Sequence, residues 1–208
     1  MKKKKIAIIG SGFFGLTCAI ILSKKYRVEI FEIKDSILCG ASRANQMRFH
    51  LGYHYPRSGK TVNEINKHYK EFLRFYGNNV LGKTINFYGI SKKYSKINFK
   101  NYLKFLSKWN LKYKISKQRE FTDNIEGQVL SREKTLNFFK IKKKIKKKIL
   151  QNNIKIKFNT TFKKSEIQNY DKIILSTYDQ NNKILNSLGI REKKSFKYEL
   201  VEKIIIKL

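Results

Sequence analysis

The sequence predicts an α/β fold, and three observations near its N-terminus carry that prediction. Ile6 to Ile9 is a continuous apolar run, which is typical of a buried parallel strand. A glycine-rich turn follows and opens a helix over residues 13–22 with apolar positions at helical spacing. A second strand over residues 26–32 comes next. Strand, helix and strand in this order form a βαβ unit with a right-handed crossover.

Length and composition indicate a globular protein with a large basic excess. The chain has 208 residues, 41% of them hydrophobic and 13% aromatic, enough for one or two domains with a buried core and too many for a disordered chain. The formal net charge is +32. Two interpretations remain open: binding to nucleic acid or an anionic membrane surface, or a general bias towards lysine. No zinc-finger or helix-turn-helix spacing accompanies the lysines, so specific nucleic-acid recognition is not expected.

The cysteines and the N-terminus bear on location. Cys18 and Cys39 form no CxxC pair and no metal-ligand set, so we expect a cytoplasmic setting and no metal site. Lysines followed by an apolar stretch to Leu22 imitate a secretory signal, but the glycine spacing and the lack of a cleavage site argue against that interpretation. No stretch is apolar for long enough to span a bilayer.

Further elements are predicted along the rest of the chain. Ser131 is a candidate N-cap for a helix to about residue 151, with Glu133 in its first turn and lysines around an apolar stripe. The segment 36–58 is a long loop, which in compact domains is often functional. The remaining predictions are helices over 61–76 and 98–109, antiparallel strands over 84–90 and 93–97, an extended piece over 112–116, and strands over 154–158, 160–163, 172–175 and within 195–208.

The glycine turn matches the dinucleotide-binding fingerprint GxGxxG. Gly10 allows the tight turn, Gly12 lets a pyrophosphate approach the backbone, and Gly15 lets the helix pack on the strand. Glu32 ends the second strand, where it can accept hydrogen bonds from a ribose, which favours FAD or NAD over NADP. Phe13 and Phe14 belong to the same expected cofactor-binding turn. The alternative is a glycine-rich turn of a doubly wound fold that holds no ligand.

A second motif, Gly40 to Tyr55, follows shortly after Glu32 and includes the pattern His50-x-Gly52-x-His54-Tyr55. With this segment the sequence resembles the D-amino-acid-oxidase-like superfamily of FAD-dependent oxidoreductases, over residues 1–58 most clearly and over 128–182 more weakly. The histidine portion is most similar to the branch that acts on 2-hydroxy acids. The resemblance implies FAD as the cofactor.

The resemblance also implies roles for individual residues. Ser42 and Arg43 are expected near the pyrophosphate, and Asn45, Gln46 and His50 near the isoalloxazine ring, with His50 a candidate for covalent attachment to flavin. Catalytic residues are not identified by the motifs. By position alone, the candidates are His50, Tyr53, His54 and Tyr55. The alternative is that His50 and His54 are ordinary polar residues of a loop.

A third motif, residues 172–178, is an apolar strand ending in Leu175-Ser176-Thr177-Tyr178. Relatives often end this strand in Ala-Thr-Gly near the flavin nucleotide, so Thr177 matches and Tyr178 departs. Phe162 lies where the adenine-contacting strand of the family is expected. The alternative is two buried strands without a ligand.

Together these features predict a Rossmann-type FAD-binding lobe, residues 1–77 and 131–182, with a partial antiparallel-sheet substrate lobe, residues 78–130 and 183–208. The implied reaction is hydride transfer from an amine, amino acid or 2-hydroxy acid, as small-molecule substrate, to flavin. Members of the superfamily are markedly longer, so we expect a fragment with a missing C-terminal portion or a second chain. The alternative function is a non-catalytic dinucleotide-binding module that needs a second chain, and a basic nucleic-acid or membrane-surface protein is a third.

Overall fold

The computed structural model describes residues 3–116 and 123–191. The strands are β1 (Lys5–Ile9), β2 (Arg27–Phe31), β3 (Arg48–Phe49), β4 (Phe87–Ser91), β5 (Tyr113–Ser116), β6 (Ile125–Ser131), β7 (Lys134–Thr135), β8 (Lys155–Lys157) and β9 (Lys172–Leu175). The α-helices are α1 (Phe13–Leu22), α2 (Ala41–Ala44), α3 (Gly59–Tyr76), α4 (Phe99–Lys108), α5 (Phe138–Gln151) and α6 (Asn181–Ser187). Short 3₁₀ helices cover Asn78–Val80, Lys164–Asn169 and Tyr178–Gln180. The chain divides into two compact units, one of Met1–Ala44 with Ile145–Leu208 and one of Asn45–Lys144.

The first unit is built on a four-stranded parallel sheet in the order β8-β2-β1-β9. In the centre of this sheet Ile8 pairs with Ile30 on one side and with Ile174 on the other. The apolar residues of β1 are buried, which explains why this strand reads as an unbroken apolar run. The predicted α/β fold is confirmed, and the βαβ unit at the N-terminus forms as the sequence indicates.

A compact aromatic cluster closes one side of this first core. The rings of Phe31 and Phe162 meet edge to face with centroids 4.8 Å apart, and Tyr170 meets Phe31 at 5.8 Å. Ile184 and Leu188, on α6 and just after it, pack against the same cluster. Edge-to-face pairs contribute about 1 kcal/mol beyond their buried area, so this cluster helps to join the two chain segments of the unit.

The second unit contains a separate antiparallel sheet in the order β4-β6-β5. Helix α4 packs on β6 and contributes Tyr102 and Leu106, both fully buried, to its core. Helix α3 belongs to the same unit, because a Cβ on Gly59 would overlap the ring of Trp109 at 2.0 Å. The buried core residues of this unit are Tyr53, Ile90, Tyr102, Leu106, Leu111 and Val129.

Several predicted elements differ from those observed. Residues 131–137 do not begin a helix: β6 runs to Ser131, β7 follows, and α5 starts at Phe138. The Asn137 side chain accepts a hydrogen bond from the Lys140 amide at 3.0 Å, so Asn137 rather than Ser131 caps this helix. Residues 93–97 form bends instead of a strand, and β4 pairs with β6. Residues 160–163 contain no strand.

The compact units change at residues 44/45 and 144/145, whereas the predicted lobes change at 77/78, 130/131 and 182/183. The long helix α3 accounts for one difference, since it packs within the second unit. Helix α6 accounts for another, since it packs with the first. The predicted strands within 195–208 lie outside the described residues, and the functional roles of the lobes stay a prediction.

Within residues 3–116 and 123–191, none of the helices combines the length and the apolar character needed to cross a membrane.

Candidate functional site

The glycine turn at the end of β1 has almost no room for side chains. Gly10 has φ of +101°, and a Cβ there would lie 2.5 Å from the Ser176 carbonyl oxygen at the end of β9. A Cβ on Gly15 would lie 2.1 Å from the Gly10 carbonyl oxygen. The predicted reasons for these two glycines, a tight turn and close helix packing, therefore fit the observed geometry.

The N-terminus of α1 presents a polar opening. Gly12 is its N-cap residue and supplies no side chain, and the first turn contains no acid. The Phe13 amide donates to the hydroxyl of Ser42 at 3.0 Å. A Cβ on Gly12 would meet only this Ser42 Oγ, at 3.4 Å. The amides of this first helical turn and the positive end of the helix dipole suit a phosphate group, and the space beside Gly12 admits one.

Glu32 follows β2 directly and is held beside the glycine turn. Its Oε2 accepts hydrogen bonds from the Ser11 amide at 2.7 Å and from the Ser11 hydroxyl at 2.6 Å. Its Oε1 accepts one from the Lys34 amide at 2.9 Å. A carboxylate has about four acceptor positions, so one stays available to a ribose hydroxyl. Glycine turn, helix terminus and oriented carboxylate together fit the ADP half of a dinucleotide.

The other residues predicted for this unit occupy varied surroundings. Phe14 is 81% exposed, and Arg43 is exposed at the end of α2. Phe162 is buried in the aromatic cluster, so any contact with a nucleotide from this position belongs to its backbone. The Thr177 hydroxyl donates to Asn181 Oδ1 at 2.7 Å, and its methyl carbon lies beside Gly10. Tyr178, where relatives have glycine, adopts φ of 58°, so the glycine-like backbone is retained.

In the second unit, the short ladder between β3 and β7 brings together His50, a predicted site residue, and Glu133, which the sequence places at the start of a helix. Arg48 pairs with Thr135 and Phe49 with Lys134 in antiparallel register. The next pair in the same register is His50 with Glu133. Their side chains meet, with His50 Nδ1 3.6 Å from Glu133 Oε2. Glu133 is therefore part of a buried cluster and not of a helix N-terminus.

Glu133 is a buried carboxylate with several donors around it. Its Oε1 accepts the Leu51 amide at 2.7 Å, and its Oε2 accepts the hydroxyl of Tyr88. Burial opposes its ionisation, but the neighbouring His50 imidazole and the hydrogen bonds from Tyr88 and the Leu51 amide outweigh burial and lower the pKa of the Glu133 carboxyl. Burial first, and then the Glu133 carboxylate, raise the pKa of Tyr88. Glu133 is consequently an anion and Tyr88 a neutral donor near neutral pH.

Three rings that the sequence predicts as candidates lie together here. The centroids of His50 and His54 are 6.0 Å apart, and Tyr55 lies 5.9 Å from His50 and 5.3 Å from His54. Burial first, and then the neighbouring His50 and Arg48 side chains, lower the pKa of His54. The guanidinium of Arg48 lies over the ring of Tyr88, with Cζ 5.3 Å from its centroid. The two imidazoles and the Tyr55 hydroxyl are groups that can transfer or hold a proton.

The other predicted residues of this unit, Tyr53, Asn45 and Gln46, do not belong to the cluster of His50, His54 and Tyr55. Tyr53 is 1% exposed, its hydroxyl donates to the Lys112 carbonyl, and its ring stacks on Tyr88, so it serves the core. The Asn45 side chain accepts the Met47 amide at 2.9 Å and shapes the chain turn. Gln46 is exposed.

Four residues of these two sites are absent from the sequence-based prediction. Ser11 lies within the glycine turn, and Ser176, directly after β9, packs against it. The sequence could have indicated Ser11, because it is the one hydroxyl residue within the fingerprint. Glu133 and Tyr88 belong to the histidine cluster. The spacing of Ser131 and Glu133 imitates the start of a helix, which concealed the role of Glu133. Tyr88 has no local signal, because it reaches the cluster only through the pairing of β4 with β6.

Comparison with protein families gives a match along most of the chain. Residues 5–192 match the family model described as FAD dependent oxidoreductase, DAO. Among curated relatives, FAD-dependent monooxygenase FPY4 of Fusarium mangiferae is 35% identical over 72 residues, which are 34% of this chain and 20% of that protein. A FAD-dependent monooxygenase of Aspergillus flavus, kojA, is 36% identical over 73 residues, 35% of this chain and 17% of that protein.

Solved structures share the fold at low sequence identity. The L-proline dehydrogenase of P. horikoshii has a TM-score of 0.67 and 16% identity, with coverage of 92% of this chain and 57% of that one. The glycine oxidase of Geobacillus kaustophilus has a TM-score of 0.59 and 14% identity, covering 76% and 48%. The L-alpha-glycerophosphate oxidase of Mycoplasma pneumoniae, solved with FAD bound, has a TM-score of 0.59 and 18% identity, covering 77% and 46%. This chain thus spans about half the length of these structures.

Proposed function

The chain belongs to the DAO family of FAD dependent oxidoreductases, and on this basis we propose that it serves hydride transfer from an amine, amino acid or 2-hydroxy acid to flavin. The observation that carries this proposal is the pair Ser11 and Glu32, which holds a carboxylate beside an open helix N-terminus. Such a carboxylate selects an unphosphorylated ribose, and FAD is the dinucleotide that this family uses.

The first unit would hold the ADP half of FAD. Amides at the start of α1 would donate to the pyrophosphate, next to Gly12 and the Ser42 hydroxyl. Glu32 would accept hydrogen bonds from the adenosine ribose. Arg43 directly follows Ser42 and is exposed, and its positive charge would attract the phosphates. FAD itself would supply the redox chemistry, as the acceptor of a hydride.

The second unit supplies the groups that we propose for the substrate side. His50, His54 and Tyr55 form one cluster of rings, and His50 is the member that a buried carboxylate contacts. Oxidation of a hydroxyl or an amine releases a proton as well as a hydride. An imidazole that is neutral near pH 7 is a suitable acceptor for that proton. Asn45 and Gln46 remain predicted neighbours of the isoalloxazine ring.

A second candidate function is a dinucleotide-binding module that is not catalytic without a second chain. The observation that favours it is coverage, because the chain spans about half of the solved structures that it resembles. This candidate predicts FAD binding without flavin reduction by any substrate of the three classes.

The experiment that tests the proposal is an absorption spectrum of the purified chain with FAD added back, before and after acid precipitation. We expect flavin to bind and to bleach under anaerobic conditions with a 2-hydroxy acid, an amino acid or an amine. Flavin that remains in the acid pellet, and is released to the supernatant by His50→Asn, would identify a covalent bond at His50 and would contradict its role as the free proton acceptor.

Two results would contradict the proposal in different ways. Flavin that binds but stays oxidised with all three substrate classes favours the non-catalytic module. A chain that takes up no FAD contradicts both candidates. The affinity for FAD is compared between Glu32→Gln and the nearby control Asp35→Asn. A loss of affinity in Glu32→Gln alone assigns binding to the proposed site.

A further inference from the structure

We infer that Glu133 is a positioning residue that keeps the proton of the neutral His50 imidazole on Nδ1, so that Nε2 is free to take a proton from the substrate. This inference rests on the proposed function for the proton-accepting step. Its structural part, the choice of the protonated nitrogen, concerns the protein alone. Neither the family match nor the motifs of the sequence assign a role to Glu133.

The backbone sets the two side chains opposite one another. Arg48 pairs with Thr135 and Phe49 with Lys134, so the antiparallel register places His50 opposite Glu133 immediately beyond the ladder. Directly opposed residues have Cβ atoms about 5 Å apart, which is close enough for imidazole and carboxylate to meet. The pairing is thus built into strands β3 and β7 and does not depend on a flexible side chain reaching across a loop.

Glu133 is also fixed at its other contacts. Its side chain is fully buried, and it accepts the Leu51 amide and the Tyr88 hydroxyl. The Asn86 amide donates to the Glu133 carbonyl at 2.9 Å, which holds its backbone. These bonds leave the carboxylate oriented towards His50. A buried carboxylate that is held by several donors cannot turn away to water, so its charge acts on the imidazole beside it.

The state of His50 Nδ1 points in the same direction. This nitrogen is buried and has no hydrogen-bond partner within residues 3–116 and 123–191. The Glu133 oxygen lies 3.6 Å away, and an approach of about 0.5 Å makes a hydrogen bond. An acceptor-only carboxylate requires a donor, so the proton belongs on Nδ1. The hydrogen bond at one ring nitrogen fixes the tautomer of a histidine and leaves the other nitrogen with its lone pair.

The exposure of the ring suits that arrangement. About a third of the His50 side chain is exposed, although Nδ1 is buried, so the exposed part belongs to its other atoms. In the proposed oxidation, the O–H or N–H bond of the substrate breaks and its proton forms the Nε2–H bond of His50. The neighbouring C–H bond would break as well, and FAD, when bound, would supply the acceptor for its hydride. The substrate becomes a ketone or an imine, and Glu133 stabilises the resulting imidazolium.

A purely structural role is the competing explanation, because Glu133 also anchors Leu51 and Tyr88. The test therefore needs a signal that folding alone does not move. Ring ¹⁵N NMR of histidine-labelled protein above the titration range reports which nitrogen carries the proton. The chain has only three histidines, His50, His54 and His68, so loss of one signal in His54→Gln and in His68→Gln assigns all of them.

We expect wild-type His50 to carry its proton on Nδ1 with a preference of at least about tenfold, since a hydrogen bond to a carboxylate contributes that much. In Glu133→Gln we expect this preference to fall to within about threefold. A matched control is Glu71→Gln, which removes the charge beside His68, where Nδ1 lies 2.8 Å from Glu71 on the exposed face of α3. That variant should change the signals of His68 and leave those of His50 unchanged.

Activity provides the second measurement. With a substrate that reduces the flavin, Glu133→Gln should lower kcat about 10- to 100-fold and change KM less than about threefold, as for other carboxylates that orient a histidine. Glu71→Gln should leave both constants as in the wild type. An equal kcat in Glu133→Gln and wild type, in a folded variant, overturns the inference while the proposed function stands.

The inference stays decidable if Glu133→Gln does not fold. A wild-type spectrum with the proton on Nε2 of His50 overturns it without any variant. Tyr88→Phe, which keeps the carboxylate and removes one of its donors, should retain the Nδ1 proton. If no substrate reduces the flavin, the proposed function fails, and the NMR measurement still decides the role of Glu133 towards His50.

Discussion

Ser11 donates both its backbone amide and its hydroxyl to one carboxylate oxygen of Glu32, at 2.7 and 2.6 Å. The two bonds tie the end of β2 to the glycine turn that follows β1. They orient the carboxylate before a ribose arrives, so binding loses less conformational entropy than it would with a free side chain. Four predictions test this turn and the unit that contains it.

The first prediction concerns the affinity for FAD. In Glu32→Gln the acceptor for the ribose is neutral, so we expect the Kd for FAD to rise about 10- to 100-fold, the equivalent of one charged hydrogen bond. A titration of flavin fluorescence measures it. Asp35→Asn removes an exposed acid three residues further along and should leave the Kd unchanged. Equal affinities in wild type and Glu32→Gln would place the ribose elsewhere.

The second prediction compares two glycines. A Cβ on Gly15 would lie 2.1 Å from the Gly10 carbonyl oxygen, whereas a Cβ on Gly40 has nothing within 4 Å. Gly15→Ala should therefore lower the free energy of unfolding by about 2 kcal/mol or more, because α1 must move away from β1. Gly40→Ala should change it by less than about 0.5 kcal/mol. Urea denaturation of both variants measures the difference, and equal stabilities would contradict the packing described for Gly15.

The third prediction concerns the start of α1. The Ser42 hydroxyl accepts the Phe13 amide, as an N-cap side chain does, although it is distant in sequence. Ser42→Ala should lower the free energy of unfolding without FAD by about 1 kcal/mol. Ser187→Ala removes an exposed hydroxyl that only donates to a helix carbonyl, and it should have a smaller effect. Thermal unfolding of both variants provides the comparison.

The fourth prediction is a pH dependence from Glu29 in β2. Burial opposes its ionisation, but the Tyr170 hydroxyl at 2.6 Å and the ammonium groups of Lys5 and Lys157 lower the pKa of this carboxyl below its usual 4.5. A depressed pKa means that the unfolded chain binds the proton more tightly. The stabilisation is thus present above about pH 4.5 and is lost as the pH falls through the folded-state pKa.

The measurement for Glu29 is the free energy of unfolding of wild type minus that of Glu29→Gln, at several pH values. We expect about 2 kcal/mol at pH 7, as for a hydrogen bond to a charged group, and a steady decrease below pH 4.5. A difference that stays constant down to pH 3 would show that the charge of Glu29 contributes nothing.

Local patterns were sufficient for the elements at the N-terminus. The apolar run of β1, the glycine turn and the periodic α1 each depend on neighbouring residues, so residues 13–22 form the helix that the sequence predicts. The position of Glu32 directly after β2 could be predicted for the same reason, since it follows from the βαβ unit, and its role towards a ribose stays a prediction. The segment 93–97 shows the limit of that approach, because a short stretch with only Tyr94 and Ile97 as apolar residues does not form a strand without a partner strand.

The contacts that the local sequence patterns did not predict depend on pairing between strands that are distant in the chain. Ser131 and Glu133 resemble a helix start, but Ser131 ends β6, which pairs with β5, and Glu133 directly precedes β7, which pairs with β3. Glu133 then meets His50, 83 residues earlier in the chain, a contact that no local pattern encodes. The ring of Tyr88, which lies near His54, belongs to a third segment of the chain, strand β4. The histidine cluster was therefore predicted only as far as its contiguous members, His50, His54 and Tyr55.

The pairing of β1 with β9 means that the glycine turn cannot complete its fold until β9 has been synthesised. Ser176, whose carbonyl closes on Gly10, is synthesised about 165 residues after it, and at about 5–20 residues per second this takes roughly 8 to 33 s. Until then one edge of β1 lacks its neighbour, and the nascent chain presents an apolar strand edge that invites aggregation or chaperones. The glycine turn reaches its final form only once β9 has left the ribosome, so we expect it to bind FAD only after that point.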